Sequence, residues 1–143
     1  MTVSAASRLR GSRCGYLTLA PTDHVQNTSR EVLGQNNTGM PIRFPCRFTG
    51  VYISGESSAG AAGQTLVLTL YKGSVAGGNK VFETTFTETG ASDNMSVDNT
   101  TPAVSEAVCT FVAGDTLLGV LASQATAGTF IELFIAISYE TDI

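Results

Sequence analysis

Apolar side chains in this chain recur at every second position, in short runs bounded by Gly, Pro, Asn and Ser. That period belongs to a strand with one buried face. The stretch 64–72 shows it most cleanly: Leu66, Leu68 and Leu70 share one face, and Val67, Thr69 and Tyr71 share the other. The second face is itself semi-apolar, as expected of a sheet covered on both sides. Residues 80–88 repeat the alternation, with Phe82, Thr84 and Phe86 set against Val81, Glu83 and Thr85. The two stretches are therefore expected to form the central hairpin, joined by a turn over 73–79 in which Gly77 and Gly78 supply positive φ.

The same period predicts strands over 15–19, closed by Pro21, and over 40–48, where Pro41 and Pro45 demand an edge position or a bend. Further strands are expected at 48–55 with Val51 and Ile53 on one face, around 95–97, at 106–112 and at 116–123. The last, 129–139, would place Ile131, Leu133, Ile135, Ile137 and Tyr139 on one face. Residues 29–33 form the exception, a single helical turn that Thr28 could cap with Glu31 three positions on. About eight strands without βαβ alternation make an all-β chain, and an eight-stranded jelly-roll-like β-sandwich is the expected architecture. An immunoglobulin-like sandwich is disfavoured by the absence of Trp and of a suitably separated cysteine pair. Residues 1–14 lack apolar periodicity and read as an extended N-terminal arm, leaving 15–143 as a single domain.

Charged residues make up only 14% of the chain, against roughly 25% in an ordinary soluble domain. A surface so poor in charge is suited to contact. The charges that exist are segregated: residues 1–50 carry a net +4 through Arg8, Arg10, Arg13, Arg30, Arg43 and Arg47, and the remainder carries −8. Either the basic start folds back over its own acidic body, or it reaches an acidic neighbour whose carboxylates the Arg forks grip. Nucleic acid is excluded as the expected partner by a pI of about 4.8.

Catalytic chemistry is hard to assemble from these residues. His24, the single histidine, stands beside Asp23 in a polar stretch with no nucleophile motif and is expected to be a solvated turn residue. Cys14, Cys46 and Cys109 have no metal spacing and are expected as buried thiols, with no bound metal or cofactor. The segment 93–99, with Asp93 and Asp98, is the one candidate calcium loop, and a hydrated loop is its simpler reading. Glycines at 60, 63, 77 and 78 suit hairpin turns, with no helix following to cradle phosphate. Tyr16, Tyr52, Tyr71 and Tyr139 could form a sugar platform, but they sit inside strands and suit sheet edges or a subunit interface better. The first residues lack a signal-peptide apolar core and no run approaches a membrane span, so synthesis in a cytosol is expected. Asn27, Asn36, Asn94 and Asn99 open Asn-x-Ser/Thr triplets that follow from a polar surface.

The runs FTGVYISG, QTLVLTLYKGSVAGGNKVFETTF and VCTFVAGDTLLGVLAS, with the final apolar strand ending in Tyr139 and Glu140, carry a resemblance. Over about residues 45–140 the chain resembles the small jelly rolls of tailed-phage virions, namely trimeric capsid decoration (cement) proteins and tail-fibre head domains. The AGDTL stretch at 113–117 is similar to a turn in tumour-necrosis-factor-like trimers. The resemblance implies a non-enzymatic virion component, a homotrimer on the capsid surface with the major capsid protein as partner. Under it, Arg8, Arg10 and Arg13, with Arg43 and Arg47 second, are expected to bind the partner, an inference from charge placement alone. The alternative is a glycan-binding fibre head using loops 55–63 and 89–104; a head is expected to follow a long shaft, whereas a short arm precedes this domain.

Overall fold

The computed structural model describes residues 14–25, 28–34, 38–58, 65–87, 94–123 and 129–141. Among them, strands β1 (Cys14–Val25), β2 (Ser29–Leu33), β3 (Met40–Pro41), β4 (Cys46–Ser58), β5 (Thr65–Lys72), β6 (Lys80–Thr87) and β7 (Asn94–Asn99) precede a helical turn α1 (Glu106–Cys109). Strands β8 (Thr110–Phe111), β9 (Thr116–Ser123) and β10 (Thr129–Glu140) follow it. All pairings are antiparallel, in one sheet of order β1-β10-β4-β7 and a second of order β2-β9-β5-β6. The two-residue strands β8 and β3 attach to β4 and β9. Counting the eight longer strands in sequence, the sheets read 1-8-3-6 and 2-7-4-5, the order of a jelly roll.

Alternation builds the core as expected. Leu66, Leu68 and Leu70 of β5 and Phe82 and Phe86 of β6 are fully buried against Val51, Ile53, Leu133, Ile135 and Ile137 of the facing sheet. Each such side chain contributes about 1.5–3 kcal/mol when removed from water. Phe48 and Phe111 meet edge to face at 4.9 Å, and Phe86 meets Phe130 across the sheets at 6.0 Å. Asn99 ties the same two layers by polar means, its Nδ2 donating to the Glu83 carbonyl at 3.1 Å and to Thr84 Oγ1 at 3.0 Å.

Bulges in β4 and β10 adjust the phase between these two strands. In β4 the register shifts between Phe48 and Gly50, so Phe48 and then Val51 and Ile53 all face inward although their numbers differ in parity. In β10 the shift falls between Ile131 and Phe134. Phe130 precedes it, Leu133, Ile135 and Ile137 follow it, and all four are buried. Ile131 therefore does not share the buried face that a uniform alternation assigned to it. Glu132 absorbs the extra residue with φ of 51°, and its N–H donates to Asp23 Oδ1 at 3.0 Å.

Several expectations give way to tertiary pairing. Residues 29–33 are strand β2, because β9 offers their backbone groups partners that an isolated helical turn lacks. Residues 106–112 are not one strand: 106–109 form α1 and only Thr110 and Phe111 pair, with β4, while Cys109 and Phe111 are both buried. The β5–β6 hairpin is not central, since β9 and β5 occupy the middle and β6 the edge. Its positive φ belongs to Gly73, at 80°, while Gly77–Asn79 make a 3-10 turn. The turn before β9 does use Gly114 at φ 100°, and Asp115 Oδ2 accepts the Val112 N–H there at 2.9 Å. That hydrogen bond, aided by Lys72 at 3.4 Å, holds the Asp115 carboxyl below its ordinary range.

Replacing Asp23 with Ala is expected to lower stability by about 1 kcal/mol, because the bulge N–H loses its acceptor. Glu132→Gly should cost nothing or add up to about 1 kcal/mol, since glycine tolerates the positive φ. Urea denaturation of the two variants checks the contrast, and an equal loss in both would contradict this account of the bulge.

Candidate functional site

Alternation that buries one face of the β1-β10-β4-β7 sheet must present the other. On β1 the outward positions are Tyr16 and Thr18; on β10 they are Phe134, Ala136 and Ser138. On β4 they are Gly50, Tyr52 and Ser54, and on β7 they are Ser96 and Asp98. Small side chains thus floor a flat surface from which three rings stand out. Tyr16 is 73% exposed, Tyr52 37% and Phe134 36%, and the last two meet at 6.4 Å. A shallow groove of about 340 Å³ runs between Tyr16 and Tyr52, edged by Asp98, Thr100 and Ser138. Beyond Tyr52 a second groove is bounded by Glu56, Glu132, Asn94 and Ser96. Among the described residues, no cation pairs with Asp98, Glu56 or Glu132. The face is therefore aromatic, acidic and uncovered.

The four tyrosines do not share a sheet edge: Tyr16 is on the edge strand β1, whereas Tyr52, Tyr139 and Tyr71 are on the inner strands β4, β10 and β5. Tyr16 and Tyr52 share this surface, whereas Tyr139 turns inward, 6.3 Å from Phe48 and 5.7 Å from Phe44. Phe134 and Asp98 were not singled out as surface partners, although their signal was present: both occupy the alternate phase of strands whose other phase is apolar.

Of the five arginines expected to bind a partner, Arg8, Arg10 and Arg13 lie outside the described residues. Arg43 is exposed on the segment before β4 and borders an apolar pocket of about 210 Å³ with Phe44, Tyr139 and Met40. Arg47 pairs with Glu140 within its own chain, which removes much of its charge from external use. The register Cys14↔Glu140↔Arg47 places the start of β1 at the end of the sheet that holds Arg47.

His24 corrects the sequence reading. It is fully buried in β1, not a solvated turn residue. Its Nε2 lies 3.1 Å from the Thr28 carbonyl, and its Nδ1 accepts from Arg30 Nε at 3.3 Å. An acceptor on Nδ1 requires the neutral ring with its proton on Nε2. Burial lowers the pKa of His24, opposed by the hydrogen bond to the Thr28 carbonyl and assisted by the Arg30 charge. The pair serves to fasten β1 to β2. Candidate calcium-loop residues 94–99 form strand β7, and Asp93 lies outside the described residues. Among the described residues no group of three or more His, Cys, Asp or Glu is placed to hold a metal, and no helix is long and apolar enough to cross a membrane. Cys46 and Cys109 are buried and burial raises both thiol pKa values, whereas Cys14 is exposed at the start of β1.

No family model matches the sequence, and no curated protein matches it. Among solved structures, the chain is similar to dimeric latent PorU from Porphyromonas gingivalis at 18% identity and a TM-score of 0.44, over 89% of this chain and 13% of that one. It is similar to the infectious bursal disease virus Gx strain at 10% identity and 0.37, over 90% and 36%. A Bacillus endospore appendage of the disulfide-linked pili matches at 18% and 0.39, over 91% and 89%. The chain thus spans a minor part of the first two, and likeness at this level identifies no function.

A folded His24 pKa below that of the unfolded chain means that the unfolded state takes up the proton first. Stability held at pH 7.5 is then expected to fall as pH drops below about 6.5. His24→Gln should flatten this slope between pH 7.5 and 5.5 in urea titrations, since the chain holds no other histidine. A disulfide-forming thiol reagent should modify Cys14 rapidly in the native protein, and Cys46 and Cys109 only on unfolding; fast loss of all three thiols would contradict the burial.

Proposed function

We propose that the chain is a virion structural protein that works without catalysis: a decoration, or cement, protein that binds the outside of a capsid as a homotrimer. Its partner is then the major capsid protein, and its place the capsid surface after synthesis in the host cytoplasm. The observation that carries this reading is the outer face of the β1-β10-β4-β7 sheet, where Tyr16, Tyr52 and Phe134 remain uncovered on a floor of Gly, Ala, Ser and Thr. Rings exposed on a floor of small side chains suit contact with another protein. A protein that binds the assembled lattice and not its free subunits stabilises that lattice by mass action, which needs no reactive group.

The test combines mass in solution with imaging of particles. Sedimentation is expected to show a trimer, and purified protein should label intact capsids and raise the temperature at which they open. A chain that stays monomeric, leaves capsids unlabelled and binds spots on a glycan array would replace this reading with the fibre-head alternative.

A further inference from the structure

The outer face just described has a charge as well as a shape. Asp98, Glu56 and Glu132 stand along it among Tyr16, Tyr52 and Phe134, with no described cation paired to them. Two copies of this face laid against each other would bring carboxylates opposite carboxylates, so the surface is not complementary to itself. It calls for a cationic occupant that can also lie against aromatic rings. Arginine has that chemistry, pairing with carboxylates through its fork and stacking through its plane. The segment 1–13 carries Arg8, Arg10 and Arg13 and no acidic residue.

Geometry separates the chain's own face from a neighbour's. Strand β1 leaves its sheet at Cys14, level with Glu140 and Arg47. Tyr52 and Asp98 pair level with Ala136, and Glu56 pairs with Ile131, so the acidic positions recede from that end. Strand β1 runs from Cys14 toward the end of the sheet that holds Glu56 and Glu132, so the described chain enters the sheet at the end remote from those two carboxylates. An extended thirteen-residue segment reaches about 43 Å, enough to cross to an adjacent subunit and run along its face.

We infer that this outer face receives the arginine-bearing segment 1–13 of a neighbouring copy of the chain, its guanidinium groups pairing with Asp98, Glu56 and Glu132 and stacking on Tyr16 and Tyr52. The contact is head to tail, arm of one copy on face of the next, and such a contact closes into a ring when the rotation allows. The inference rests on the assembly reading above and gives the arm a partner within the oligomer, in place of the capsid.

Charge reversal in the full-length protein tests it. One variant carries Arg8→Glu, Arg10→Glu and Arg13→Glu; a second carries Glu56→Lys, Asp98→Lys and Glu132→Lys; near-ultraviolet circular dichroism confirms that each is folded. Each alone is expected to self-associate at least about tenfold more weakly than the unmodified chain, because like charges now meet. Mixing the two should restore an oligomer, since the acidic arm of one finds the basic face of the other. Association of the unmodified chain should also weaken between 0.1 and 0.5 M salt as the screening length falls below about 10 Å. An unmodified chain that assembles while the arm-reversed variant assembles equally well overturns the arm contact and leaves the structural role standing. So does assembly indifferent to both charge sets with the Tyr16 and Tyr52 ring signals shifting on addition of maltose, which would make the face a saccharide platform. A monomer that labels no particle overturns the assembly reading itself.

Discussion

Strand β10 lies between β1 and β4 and sends Phe130, Leu133, Ile135 and Ile137 to the core on one side of the sheet. Phe130 reaches it in one phase and Leu133, Ile135 and Ile137 in the other, so the strand closes the sandwich only because an extra residue intervenes. The bulge depends in turn on Glu132 holding a positive φ and on Asp23 accepting its N–H. Removing the extra residue would send either Phe130 or the three aliphatic residues to solvent. The same local device places a carboxylate beside Glu56 on the outer surface. Core closure and surface charge therefore share one cause.

Most of the cations that the structure describes are engaged close to home. Arg47 meets Glu140, Lys80 meets Glu83, and Lys72 lies between Asp115, the Thr110 carbonyl and the Phe111 ring. Arg30 serves His24 and the Asp23 carbonyl. These partially exposed pairs contribute modestly to stability. Their larger effect is on the charge map. With local cations engaged, the acidic excess of residues 51–143 falls on surfaces such as the one around Tyr52, while the basic excess sits in residues 1–50. Opposite charges at separate places on one chain favour attraction between copies over distances near the screening length.

The strands legible in the sequence are those whose period survives, above all β5 and residues 82–87 of β6. Their faces were assignable residue by residue. Strand β2 was obscured by a capping pattern at Thr28 and Glu31, a local preference that pairing with β9 overrides. The stretch 106–112 was obscured because alternation of Val108, Thr110 and Val112 resembles a strand, although residues 106–109 form the helical turn α1. His24 looked solvated because its neighbours are polar. Its polar partners are Thr28 and Arg30 around the start of β2, which no apolar run signals. The candidate surface was half legible: Tyr16 and Tyr52 were visible as strand residues, but their presence on one face with Phe134 and Asp98 requires knowing that β1, β10, β4 and β7 are neighbours.

By itself the sequence determined that the chain is all-β, which strand faces are apolar in the unbroken runs, and that its charge is divided between a basic beginning and an acidic remainder. Period and composition act within a few residues, so they survive in a one-dimensional reading. Tertiary structure alone decided the strand order, the changes of phase in β4 and β10 and the gathering of rings and carboxylates on one outer face. Those features arise from pairings between residues as distant as Tyr16 and Ser138, where the backbone of one strand selects its partner by satisfying hydrogen bonds and covering a core that no local segment contains.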